Sequence, residues 1–165
     1  MLAEAPEADP AQLWLDGNTI VAATVAVGQG SLPATVRTTL DAIAPRGELL
    51  FQGQEWGPRG HGYRIQKRYR EGTVEHERSV LIDSEGRVLE RSHTWPIPDV
   101  PQHVLATALR AGTQIEAAWI VSGPEREEYW SCTVKNRLGH VLVAKVALDG
   151  RWLGSVRRVL ADVHV

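Results

Sequence analysis

Apolar and polar positions alternate along most of this chain, and twice the alternation gives way to a helical spacing. The run NTIVAATVAV, residues 18–27, is rich in β-branched residues and closes on GQG, which predicts a strand. In SLPATVRTTLDAIAPRG the period changes. Val36, Leu40 and Ile43 recur at i, i+4 and i+7, Ser31 stands as an N-cap with Pro33 in the first turn, and Pro45 with Gly47 stops the element. Its threonines lower helix propensity, so this helix depends on packing. Four strands are then predicted at ELLFQGQEW, GYRIQKRYR, TVEHERSVLI and RVLERSHTW, divided by GPRGHG, EG and DSEG.

PIPDVP breaks the chain and the order restarts. VPQHVLATALRAG places Val104, Leu105, Ala108 and Leu109 on one helical face, with Gly112 as the stop. TQIEAAWIV, EYWSCTVKN, HVLVAKVAL and RWLGSVRRVL read as four more strands. The halves align: Leu32-Pro33 with Val100-Pro101, Tyr63 near Trp130, Val80 with Val146, and Val88 with Trp152. The closing turns VLIDSEGRVLE and VALDGRWLGSV share only their Asp and Gly, the residues a tight hairpin needs, so Asp83 and Glu85 read as turn chemistry rather than an acidic site. The expected fold is α+β: two tandem repeats, each a helix plus a four-stranded antiparallel sheet. The first covers 17–96, with residues 18–27 as an extra N-terminal strand that completes its sheet or bridges the two. The second covers 97–165, and residues 1–16 form a disordered leader.

The helix marked by Leu32, Pro33, Val36 and Leu40, with strands closing on Val80, Ile82, Asp83, Gly86, Val88 and Leu89, resembles the PepSY-like family and the related repeats of β-lactamase-inhibitor proteins. Val100, Pro101, Val104, Val146, Leu148, Asp149, Gly150 and Leu153 carry the pattern in the second half. The resemblance covers residues 30–160. It implies a secreted or periplasmic bacterial module that binds or inhibits a partner protein, often a peptidase, with no catalytic residues and no cofactor to carry over. The second turn is shorter than the pattern, and no signal peptide is visible.

Composition narrows this further. The 165 residues, 43% apolar and 23% charged, suit one domain or two small halves sharing a core. A net charge of −2 provides no field for nucleic acid. The one cysteine, Cys132, excludes an intramolecular disulfide, and between Trp130 and Val134 it reads as an inert buried thiol. No run approaches the ~20 apolar residues of a membrane helix, so no membrane insertion is expected. The acidic MLAEAPEADPAQ fits a leader left by a removed signal peptide, a piece of a longer chain, or a start at Met1 in the cytoplasm.

Of six tryptophans, most read as core. Trp56 and Trp95, each at a strand end beside a Gly or Pro turn, are the candidates for an exposed partner contact. Arg64, Arg68 and Arg70 share one face of their strand with Gln66, either solvated beside Glu75 and Glu77 or facing an acidic partner. If Asp83 and Gly86 flank a two-residue turn, His76 faces His93. A divalent metal would then need Glu75 or Glu77 as a third ligand, and a single bulge would end the pairing; polar surface is the simpler reading, and no metal is assigned. Catalytic signatures are absent, and Asp41, Glu55 and His61 stand out in nothing. The glycines of AVGQGSLP read as the end of a strand rather than as an anion-binding turn. The expected function is a non-enzymatic protein-binding or inhibitory module using an aromatic-rich sheet face. The alternatives are a small enzyme or small-molecule binder of cystatin-like shape, with a cavity between helix and curved sheet, and a self-associating envelope domain.

Overall fold

The computed structural model describes residues 10–28 and 30–162. The strands are β1 (Pro10–Asp16), β2 (Thr19–Ala26), β3 (Glu48–Gly57), β4 (Gly60–Glu71), β5 (Val74–Ile82), β6 (Val88–Trp95), β7 (Gln114–Gly123), β8 (Arg126–Lys135), β9 (Val141–Ala147) and β10 (Trp152–Asp162). Helix α1 (Ala34–Ile43) lies between β2 and β3, and α2 (Gln102–Ala108) between β6 and β7. Every strand pairs antiparallel with its neighbours in sequence, and β1 also pairs with β10, so the sheet closes into a ten-stranded barrel.

This corrects the expected fold class. The predicted strands form, but they do not make two helix-plus-sheet repeats. β6 and β7 pair from Arg91↔Ser122 to Trp95↔Ala118, which merges the two sets of four into one sheet. The outer edges are joined by the N-terminal hairpin, because β2 pairs with β3 while β1 pairs with both β2 and β10. An open sheet would end in two rows of unpaired N–H and C=O groups, and closure removes both.

Residues 10–16, expected in the leader, are the strand that performs this closure; residues 1–9 lie outside the described residues. Ala11, Leu13 and Leu15 alternate with Gln12 and Trp14, and Gly17, with φ +59°, turns the chain into β2.

Helix α1 begins later than predicted. Pro33 is its N-cap, while the Ser31 N–H donates to the Gly28 carbonyl in the preceding turn. Val36 and Leu40 pack against Ile65, Val80 and Ile82 of β4 and β5, with Leu32 and Ala44 closing the cluster. Val104 and Ala108 of α2 do the same against Trp130, Cys132, Val134, Ala144 and Val146 of β8 and β9. Leu109 departs from this face because the chain tightens there into a 3-10 turn, Leu109–Ala111, and the residue is exposed. Burying a Val or Ile side chain contributes roughly 1.5–3 kcal/mol. Among the described residues, buried apolar side chains occupy the space between each helix and the sheet, where the cystatin-like alternative would need a cavity.

Each helix also ties down one hairpin turn. The hydroxyls of Thr35 and Thr39 donate to the carbonyls of Ser84 and Gly86 at 2.7 and 2.6 Å, and Thr107 donates to the Gly150 carbonyl at 2.7 Å. Gly86 has φ +86°, and a Cβ there would stand 3.0 Å from the Thr35 carbonyl oxygen. What recurs between the halves is this helix-to-hairpin corner.

Candidate functional site

On the strands beneath the helices, alternate residues face a helix and the opposite face of the sheet. Along β4, Tyr63, Ile65 and Lys67 face α1, and Lys67 Nζ donates to the Ala44 carbonyl at 2.8 Å. Arg64, Gln66, Arg68 and Arg70 therefore point the other way, as the sequence pattern predicts.

The three arginines meet different environments. Arg64 donates through Nε and Nη2 to the two carboxylate oxygens of Glu55, at 2.6 and 3.0 Å. Its Nη1 reaches Glu90 at 3.0 Å and the Ser79 hydroxyl at 3.3 Å. The side chains of Arg64, Glu55 and Glu90 are only 18, 13 and 15% exposed. Burial disfavours the guanidinium charge, but the charges of Glu55 and Glu90, and the hydrogen bonds to them, outweigh it and hold the group above its ordinary value. Arg64 is thus a tie between β3, β4 and β6, with its hydrogen-bonding fork engaged. Arg68 lies 3.7 Å from Glu77 and 4.0 Å from Glu48, and the exposed Arg70 lies 3.4 Å from Glu75.

Closure brings distant strands within electrostatic range. In a flat sheet β4 and β8 would lie about 19 Å apart, yet Arg64 and Glu90 both act on Tyr129 of β8. The Tyr129 hydroxyl is pushed up to about 12 by burial, then by the Glu90 charge. On β9, burial draws the Lys145 ammonium below its usual value; Arg126 and Arg59 add to this and Glu90 opposes it.

Both tryptophans proposed as contacts are exposed, Trp56 by 45% and Trp95 by 41%. They do not share a patch. Trp56 lies opposite His61, with ring centroids 5.2 Å apart, at the β3–β4 turn. Trp95 extends the β5–β6 ladder two residues past Arg78↔His93, level with His76, whose β4 partner is Tyr69. His61 and Tyr69 are separated by about 26 Å of strand. Trp95 packs edge-on to the buried Trp130, with centroids 6.1 Å apart.

A cleft opens beside Trp95 because the ladders there are of unequal length. β4–β5 pairing runs on to Glu71↔Val74, whereas β5–β6 pairing stops at Arg78↔His93. β7–β8 pairing begins at Gln114↔Lys135, whereas β6–β7 pairing stops at Trp95↔Ala118. Pro96, which has no N–H, then directs the chain away toward α2. The cleft, about 440 Å³, is lined by Arg68, Glu75, Trp95, Pro96, Ile97 and Trp119 among others. Thr94 Oγ1 accepts the Glu77 N–H at 2.9 Å, where the ladder would otherwise continue.

The His76–His93 pairing does not occur. The turn sets Ile82 opposite Val88, one residue off the expected register, and a bulge between Leu81 and Ile82 adds a second shift, so that His93 faces Arg78. Burial, then the charges of Arg78 and His76, hold the His93 imidazole below its ordinary value, with Glu128 opposing. Cys132 is buried, and burial pushes its thiol up to about 11.

The sequence reading passed over Arg59, Arg126, Tyr129 and Lys145. Alternation places Tyr129 and Lys145 on the inner faces of β8 and β9. The approach of the β3–β4 and β7–β8 turns, which brings in Arg59 and Arg126, leaves no local trace in the sequence.

No family model matches the chain, so the PepSY-like part of the resemblance has no support there, and no curated protein matches it. Solved structures do share its fold. A protein of Bacteroides eggerthii proposed to be periplasmic aligns with TM-score 0.58 and 14% identity, over 78% of this chain and 90% of that one. A DUF2874 family protein from Bacteroides uniformis aligns with TM-score 0.55 and 16% identity, over 76% and 88% of the respective chains. A BLIP-like protein from Bacteroides fragilis aligns with TM-score 0.52 and 18% identity, over 78% and 89%. The BLIP-like part of the resemblance therefore holds at the level of fold.

Proposed function

We propose that this protein is a non-catalytic binding module, exported from a bacterial cell, that docks a partner protein at the cleft beside Trp95. The observation that carries the reading is the exposed Trp95 at the point where β5 and β7 lose their common neighbour. Trp95, Pro96, Ile97 and Trp119 offer an apolar floor, and Arg68 and Glu75 a charged rim. Tryptophan and arginine are the residue types that dominate binding energy when a partner covers them. The likeness in fold to a BLIP-like protein and to a protein proposed to be periplasmic supports a binding role and export. Trp56 and Arg70 lie outside the cleft, and Arg64 contributes by holding the strands that shape it.

Affinity capture from a native envelope fraction tests this, with wild type, Trp95→Ala and Trp56→Ala as baits. A partner held by wild type and Trp56→Ala, and bound at least about 30-fold more weakly by Trp95→Ala, is expected, since a hot-spot truncation costs about 2 kcal/mol or more. Identical partner sets from all three baits, or none from any, would remove the proposal.

A further inference from the structure

The turns β3–β4, β5–β6, β7–β8 and β9–β10 gather at one end of the barrel, away from Trp95. There, several cationic groups and the Tyr129 hydroxyl stand together. Arg59, on the β3–β4 turn, stretches across to β7. A Cβ at Gly123 would lie 2.8 Å from Arg59 Nη2 and 2.9 Å from the Leu89 carbonyl oxygen, so this glycine leaves the slot in which the guanidinium lies. Arg59 Nε is buried and has no hydrogen-bond partner among the described residues.

Arg126, Tyr129 and Lys145 line a recess of about 270 Å³, with Ala147 and Leu153 forming an apolar wall. Lys145 Nζ sits 5.8 Å from the Tyr129 ring centroid. Among the described residues, no ion pair involves Arg59, Arg126 or Lys145, and Glu90, the carboxylate that acts on Lys145, is already held by Arg64 at 3.0 Å. Of the other groups on the recess, Arg151 is engaged by Asp149 at 3.4 Å, and Glu128 acts on His93. Glu127 and Glu128 are the two carboxylates on the wall.

Arg126 and Lys145 in a partly enclosed site, with the Arg59 charge acting on Lys145 beside them, repel one another, a cost that an anion removes. We infer that this recess binds a small organic anion. Its carboxylate or phosphate oxygens accept from Arg126, Lys145 and the Tyr129 hydroxyl, with the Arg59 charge close by, and its apolar part lies against Ala147 and Leu153. The recess is slightly smaller than the ~300–1,000 Å³ of ordinary ligand pockets, which suits a short ligand or the head of a longer one. Tyr129 stays protonated across the physiological range, because burial pushes its ionisation up to about 12, and so remains a donor. The inference is independent of partner docking at Trp95, since the two sites lie at opposite ends of the barrel.

The test is calorimetric titration of the full chain with hexanoate, inorganic phosphate and, as a neutral control, hexanol. Saturable binding of at least one anion is expected, weakened by added salt and about tenfold or more weaker in Lys145→Met and Arg126→Met, with none for hexanol. Hexanoate alone would identify a carboxylate ligand, and phosphate alone a phosphoryl group. The ligand-free melting midpoint of Lys145→Met should equal or exceed that of wild type, because the substitution relieves repulsion. A lower midpoint would make Lys145 a structural residue and overturn its role. No saturable anion binding at millimolar concentration, equal binding by the variants, or equal binding of hexanol would overturn the inference.

Discussion

On β4 and β5, the side chains of Ile65, Val80 and Ile82 turn toward α1 and are closed from water, while those of Arg64 and Ser79 turn inward to meet Glu55 and Glu90. The helix-facing side of the sheet is held by apolar burial, which is additive and tolerant of direction. The inner side is held by directed charge pairs, which fail when one member is removed. The contrast extends to function. On the helix-facing side, two compact clusters fill the space beneath the helices. At the far end of the inner side, Lys145, Arg126 and Arg59 form no ion pair among the described residues.

The sharpest way to break this comparison is Arg64→Met. It strands Glu55 and Glu90 together, and a loss of about 3 kcal/mol in urea unfolding is expected. A loss below about 1 kcal/mol would show that the two carboxylates reach water and that the inner side is open to solvent. Val36→Ala and Val104→Ala should each cost roughly 2 kcal/mol, because both sites are fully buried beneath their helices. Unequal losses would show that one cluster collapses around the deletion better than the other.

A smaller effect separates the sides by pH. His93 titrates below its ordinary value in the folded chain, so between that lowered value and 6.5 the unfolded chain binds more protons. Stability should therefore fall as pH drops from about 7 through this window. His93→Gln should flatten the fall in melting midpoint, and an unchanged profile would remove His93 as its source. The smallest expected effect has the opposite sign. Lys145→Met should stabilise the ligand-free protein by ~0.5 kcal/mol, since it removes one of several crowded cations. A destabilised variant would place Lys145 with the structural charges such as Arg64.

Much of the secondary structure was legible because its signals are local. Period-two runs and turn residues locate β2 to β10, and the i, i+4 spacing of Val36 and Leu40 locates α1 and its buried face. β1 was missed because its seven residues follow an acidic, Ala- and Pro-rich stretch, although Asp16-Gly17-Asn18 is a hairpin signal. The His76–His93 pairing failed because the turn places Ile82 opposite Val88 rather than Arg87 and a bulge at Leu81/Ile82 adds a second shift, neither of which the residues there announce. The Trp95 cleft follows from ladders of unequal length, and only Pro96 hints at it.

By itself, the sequence determined nine of the ten strand segments and, Leu109 apart, the apolar faces of the two helices, and it singled out Trp56 and Trp95 for exposure, because periodicity and turn chemistry act within a few residues. Only the tertiary structure decided that the strands form one closed barrel, that Trp56 and Trp95 lie at opposite ends of it, and that Arg59, Arg126, Tyr129 and Lys145 come together. Those outcomes depend on the pairing of β1 with β10, and the energy of that pairing comes from satisfying two backbone edges far apart in the chain.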